Sequence, residues 1–199
     1  MKVVISGHSK GIGHATFDML RKKNINVIGM SRASGHDLRT EYSRFKDKII
    51  QEEPDIFINN AYVEENQTKL LEDLFVKWKH ERKLIINVCS IASTIPENHP
   101  DYTMPYASDK RRQRDFCFKN NFAYSKKDFM TTKCNLVNIN FDYVDTNFKS
   151  KHNKKLFPNL NSQEVADIIW YVMQGYEKNI CFREISFHST RPPEESQTT

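Results

Sequence analysis

The sequence predicts a single α/β domain: a doubly wound, Rossmann-like parallel sheet of about six to seven strands with helices on both faces. Three observations carry this. Strand-like and helix-like segments alternate along the whole chain. The strand-like runs are β-branched and continuously apolar, as strands covered on both faces are. Several of them end at Gly or Asn, where a chain turns over the sheet edge. Right-handed crossovers then wind the strands into one sheet, and 199 residues suffice for one core.

The elements follow in order. Val3-Val4-Ile5 is a buried strand ending at Gly7. Residues 12–23 form a helix, with Ala15, Met19 and Leu20 on one face and Lys/Arg in the last turn. Residues 25–30 are the second strand. Tyr42, Phe45, Ile49 and Ile50 mark a helix over 39–52. Residues 55–58 form a strand that stops at Asn59-Asn60. A helix over 66–80 carries Leu70, Leu71, Leu74, Phe75 and Trp78, and residues 84–88 are a strand. A Pro-punctuated loop leads to a helix over 106–123, with Pro105 suited to its first position. Residues 136–139 are a strand, 162–177 a helix and 180–187 a last strand. Residues 1–190 thus make one domain, and the polar tail 191–199 is expected to be flexible.

Composition removes several classes of function. Lys+Arg 30 against Asp+Glu 25 leaves a mild, dispersed excess of +5, which demands no nucleic-acid partner. No apolar run approaches the roughly 18 residues of a membrane span. Met1 to Gly7 leads directly into polar residues and predicts no secretory signal. Cys89, Cys117, Cys134 and Cys181 are scattered without CxxC spacing, so reduced thiols in a cytoplasmic protein are expected. The histidines show no metal-ligand spacing, and no metal site is predicted.

Ligands of such sheets sit outside the carboxyl ends of the strands. After the first strand, Gly7, Gly11 and Gly13 leave bare backbone amides at a helix N-terminus, an arrangement that holds a pyrophosphate. Tyr106 and Lys110 stand four apart on one helix face. A cation beside a tyrosine favours the phenolate and lowers its pKa; spacing alone equally describes a solvated helix pair.

Six segments together resemble the short-chain dehydrogenases/reductases, in that family's order. Ser6-Gly7-His8-Ser9-Lys10-Gly11-Ile12-Gly13 resembles its TGxxxGIG turn, and Asn59-Asn60-Ala61 its NNAG. Asn87-Val88-Cys89-Ser90 resembles its serine-bearing strand, and Tyr106 to Lys110 its YxxxK. Val144-Asp145-Thr146 resembles the segment touching the nicotinamide, and 162–167 its late helix start. The resemblance is to a shortened member. One helix stands between the second strand and Asn59, where the family has two helices and a strand; Asp37-Leu38 looks like that strand's remnant.

The resemblance implies an oxidoreductase that passes hydride between a nicotinamide and a carbonyl or alcohol. Tyr106 would exchange the proton and Lys110 bind the nicotinamide ribose. Ser90 would hold the carbonyl oxygen, with Ser93 as the other candidate. Asn66 would link Lys110 to solvent through water. The implied cofactor contacts are Gly7, Ser9, Lys10, Gly11, Ile12, Gly13, Arg32, Asp37, Leu38, Asn60, Ala61, Tyr106, Lys110, Val144 and Thr146, with Asp37 at the adenine. Arg32 follows the second strand where an acidic residue would bind the ribose of NAD, and it suits a 2′-phosphate. With Lys10 it predicts NADP(H) over NAD(H). The implied partners are a small carbonyl or alcohol substrate and further copies of the chain, as homodimer or homotetramer.

Three departures stand out. Tyr62 replaces the family's Gly, no Pro-Gly follows Ile139, and the helix after Tyr106 carries Arg111, Arg112 and Arg114. Those charges suit either solvent or acids across an interface. The basic segment 147–160 suits an anionic substrate or a solvated lid. The alternative reading is an NADP(H)-binding sensor or partner-binding protein without turnover.

Overall fold

The structure, a computed structural model, describes residues 1–121, 132–142, 144–145 and 160–190. Its strands are β1 (Lys2–Ser6), β2 (Asn26–Met30), β3 (Ile56–Asn59), β4 (Leu84–Val88), β5 (Asn135–Phe141), β6 (Val144–Asp145), β7 (Leu160–Asn161) and β8 (Glu184–Phe187). Its helices are α1 (Gly11–Lys22), α2 (Tyr42–Gln51), α3 (Glu64–Trp78), α4 (Pro105–Asn121) and α5 (Ser162–Glu177). Six strands form one parallel sheet in the order β2-β1-β3-β4-β5-β8. The order reverses between β1 and β3, which opens a crevice at their carboxyl ends.

Alternate residues of each central strand feed two cores, because successive side chains point to opposite faces. Val3, Ile5, Ile58, Ile86 and Ile139 pack under α1 and α5, with Leu20, Val165 and Ile169. Val4, Phe57, Ile85 and Leu136 pack under α2, α3 and α4, with Ile49, Leu71, Leu74 and Trp78. Full burial of each such side chain stabilises by about 1.5–3 kcal/mol, so both helical layers are held by apolar contact.

Element boundaries depart from the expectations at polar residues. β5 runs on through Asn140 and Phe141, because Asn138 and Asn140 are buried and hydrogen-bonded side chain to side chain. The last strand begins only at Glu184; Ile180 instead closes the end of α5 by donating its amide to the Gly175 carbonyl, and is 55% exposed. Residues 37–38 form a turn rather than a strand, with Leu38 buried in the second core. Among the described residues β2 is therefore one edge of the sheet, with β8 at the other.

Two arginines of α4 are paired with acids of the same chain. Arg112 makes a bidentate pair with Glu72 of α3 at 3.1 and 2.9 Å, and Arg114 one with Glu184 of β8 at 2.9 and 3.1 Å. Arg111 lies 3.7 Å from the centroid of the Tyr102 ring. No helix of the described residues is long and apolar enough to cross a membrane.

Glu52, just after α2, clasps the start of β1. It accepts from Lys2 at 2.8 Å and also pairs with Lys48. The Lys2 hydrogen bond, then that of Lys48, holds its carboxyl down at about 2. The unfolded chain protonates this group at about 4.5, so its stabilisation is full above that pH and is lost as pH falls toward 2. Glu52→Gln is expected to cost about 1 kcal/mol at neutral pH. Urea midpoints of the variant should also decline less than those of the parent across that window.

Candidate active site

The turn after β1 is stitched to the turn after β3. Gly7 takes φ +73°, a left-handed conformation suited to glycine, and its amide donates to the Met30 carbonyl at 2.7 Å. The Asn60 side-chain amide donates to the carbonyls of Ser6 and Gly7 at 3.0 and 3.2 Å. Ser6 Oγ accepts from the backbone amides of Asn60 and Ala61 at 2.9 and 3.0 Å. Gly13 lies so close beneath that a Cβ there would stand 2.2 Å from the Gly7 carbonyl oxygen.

The first turn of α1 thus faces the crevice. Lys10 at its N-cap makes no side-chain cap bond, and no acidic residue occupies its first turn. Ser9 and Lys10 are exposed, while Ile12 packs against the core. The first-turn amides of a helix and the positive end of its dipole are groups that can hold an anion.

His8, which no motif assigns a role, packs beside this turn. Its ring lies against Gly29 of β2, where a Cβ would stand 2.3 Å from its Cγ, and 4.9 Å from Phe17 between ring centroids. Burial lowers its pKa below that of free imidazole, and its Nδ1 is buried without a hydrogen-bond partner. The signal was a glycine inside an otherwise apolar strand, which marks close approach of another group.

Beyond β2, Arg32 opens a short 3-10 turn and is exposed. Neither Arg32 nor Lys10 forms an ion pair among the described residues. Asp37 is half-buried and accepts from the Arg39 amide at 2.9 Å. Asn66 sends its side-chain amide to the Leu38 carbonyl at 3.0 Å, tying that turn to α3.

The contact with Lys110 comes instead from the neighbouring Gln67, whose Oε1 accepts from Nζ at 2.8 Å. Nζ also donates to the Val88 carbonyl at 3.2 Å and to Gln113 Oε1 at 3.3 Å. Lys110 is only 3% exposed, and burial brings its pKa down from 10.5 to about 8.

Tyr106 and Ser90 meet through a side-chain hydrogen bond. Ser90 stands just beyond β4 and caps a short turn by accepting from the Ala92 amide at 3.2 Å. The Tyr62 ring packs edge-on against Tyr106, with centroids 4.8 Å apart, and its hydroxyl reaches Asp109 at 3.4 Å. The Lys110 ammonium lies 5.3 Å from the Tyr62 centroid and 5.6 Å from that of Tyr106. The expected lowering of the Tyr106 pKa is reversed. Burial raises it, and the Ser90 hydrogen bond offsets only part of that. The same burial that depresses the lysine penalises the phenolate.

Ser93 belongs to another structure. It is buried and donates to Asn140 Oδ1 at 3.1 Å. A ladder of amides crosses three adjacent strands: Asn59 donates to Asn87 at 3.0 Å, Asn87 to Asn138 at 2.9 Å, and Asn138 to Asn140 at 2.9 Å. Gln67 and Gln113 pack over it from the helices. Val144 lies in β6, paired with Leu160 of β7. Thr146 and residues 147–159 lie outside the described residues.

No protein-family model matches the chain, and no curated protein matches it in sequence. Solved structures do match in fold. A 3-alpha-hydroxysteroid dehydrogenase from Pseudomonas sp. B-0831, complexed with NADH, aligns over 94% of each chain at 17% identity with a TM-score of 0.75. A short-chain dehydrogenase from Burkholderia cenocepacia J2315, in complex with NADP, aligns over 94% of this chain and 96% of its own at 12% identity, TM-score 0.72. One from Sphingobium yanoikuyae, in complex with NADPH, aligns over 94% and 87% at 14% identity, TM-score 0.68. The chain is similar in fold to short-chain dehydrogenases. Several of these neighbours hold NADP or NADPH, and others NADH.

Proposed function

We propose that this chain is an NADP(H)-dependent oxidoreductase that reduces the carbonyl group of a small molecule, or oxidises the matching alcohol. The observation that carries the reading is the meeting of Ser90 and Tyr106 beside buried Lys110, in the same crevice as the Gly7–Gly13 turn. The residues fit a dinucleotide. Gly13 lets α1 pack directly under the Gly7 turn, the first turn of α1 carries no acidic residue and no side-chain cap, and Lys10 and Arg32 are exposed.

Gly11, Ile12 and Gly13 would present their amides to the pyrophosphate. Arg32 and Lys10 would pair with a 2′-phosphate. A bound reduced nicotinamide supplies the hydride. Ser90 would donate a hydrogen bond to the carbonyl oxygen and steady the charge that grows there. Tyr106 would deliver the proton to that oxygen. Its raised pKa keeps the phenol protonated at neutral pH, the form that can give a proton to a carbonyl oxygen. Lys110, behind the ring, would offset the negative charge left on the phenolate.

The test is consumption of NADPH by the purified protein across a panel of aldehydes and ketones, with the alcohol product identified. No turnover in either direction despite tight NADPH binding favours the second reading, a binder without chemistry. That reading is supported by one observation: the three ammonium hydrogens of Lys110 already have protein acceptors.

Cofactor choice gives a separate prediction. Replacing both Lys10 and Arg32 by alanine should weaken NADPH binding by roughly tenfold or more, since two charge-assisted contacts are lost. NADH affinity should stay within about twofold, because NADH carries no 2′-phosphate. Equal loss for both cofactors contradicts the assignment.

A further inference from the structure

Lys110 is enclosed by acceptors that carry no charge. Two of the three are side-chain amides, and their orientation is fixed by what their nitrogens do. Gln67 Nε2 donates to the Asn59 carbonyl at 2.9 Å and the Val88 carbonyl at 3.3 Å, so Oε1 must turn toward the lysine. Gln113 Nε2 donates to Thr68 Oγ1 at 3.0 Å, and its Oε1 accepts from Asn87 as well as Lys110, each at 3.3 Å. Both glutamines are fully buried. Each is braced by the asparagine ladder, Gln67 through the Asn59 backbone and Gln113 through the Asn87 side chain.

We propose that Gln67 and Gln113 are positioning residues for Lys110. By direct contact they fix its ammonium behind the Tyr106 ring and set its proton affinity, in place of the water-mediated link for which the sequence suggested Asn66. The inference rests on the reading of Lys110 as part of the hydride-transfer site. Neutral amides leave the cost of burying the ammonium largely uncompensated, so burial brings the lysine's pKa down to about 8. The other titratable groups facing it are Cys89 at the end of β4, Asp109 on α4, and the phenols of Tyr62 and Tyr106.

The experiment is an NMR titration of the full chain labelled with 13C at lysine Cε, the Lys110 resonance being assigned by its absence from Lys110→Met. The parent midpoint is expected at about 8. Gln113→Glu puts a carboxylate beside the ammonium and should raise that midpoint by about one pH unit or more. Its second oxygen can accept from the Thr68 hydroxyl but gives up the 3.4 Å bond to Gln67 Oε1, so a thermal melt of this variant accompanies its titration. Gln67→Leu removes an acceptor and should lower the midpoint. Should Gln67→Leu fail to fold, Gln113→Glu still decides. A Lys110 midpoint unmoved in folded Gln113→Glu overturns the inference. Failure of the parent protein to bind NADPH, read separately by nicotinamide fluorescence, overturns the hydride-transfer reading instead.

Discussion

Tyr106→Phe should lower the rate of carbonyl reduction by roughly a hundred- to ten-thousand-fold, the range lost with a general acid. The substitution is narrow. It keeps the ring that packs against Tyr62 and lies over Lys110, and removes only the hydroxyl that meets Ser90. Folding and NADPH affinity should therefore change little, and the loss should fall on kcat rather than on cofactor binding. Steady-state kinetics on the parent and variant, with thermal melts as control, give the comparison. A rate within about fivefold of the parent contradicts the role of Tyr106 as acid, because proton delivery contributes far more than that.

Gly13→Ala should be nearly as severe, for a steric reason. The added Cβ would meet a backbone carbonyl oxygen at 2.2 Å and the Asn60 amide nitrogen at 2.6 Å. Neither can yield cheaply. The carbonyl belongs to the Gly7 turn, and the Asn60 nitrogen is held by two carbonyls. Overpacking of this kind costs about 1–3 kcal/mol, and its relief must push the turn after β1 away from α1. NADPH affinity should fall by at least about tenfold, the equivalent of 1.4 kcal/mol. Gly35 provides the contrast, since nothing lies within 4 Å of a Cβ there. Its φ of +77° still makes a side chain strained, but the strain is local to an exposed turn. A Gly13→Ala protein with unchanged melting temperature and affinity contradicts the described contact between the two turns.

What the sequence made legible was local. The glycine turn, the Tyr106–Lys110 spacing and the serine after β4 are each short segments whose place in the fold follows from residue type and strand position. The order of elements was legible for the same reason, because apolar periodicity within a segment reports burial. The partners of Lys110 were not. Gln67 and Gln113 reach it from α3 and from a turn farther along α4, and buried amides in a sequence look like surface residues. Asn66 and Gln67 differ by one position, but one residue on a helix turns the side chain by about 100°. Asn66 therefore faces Leu38 while Gln67 faces the lysine. Asn140 of β5 misled in the same way, since a polar residue in a strand suggests its end unless a polar partner meets it. The direction of the Tyr106 shift depends on burial by Tyr62 and its surroundings, which no spacing encodes.

The most direct test of the account is a titration of the unaltered protein with NADPH and with NADH, followed by nicotinamide fluorescence. NADPH is expected to bind saturably at one site per chain, and NADH distinctly more weakly. Absence of binding by either would contradict it, because every step assigned to Ser90, Tyr106 and Lys110 requires the dinucleotide to lie in the crevice above the Gly7–Gly13 turn.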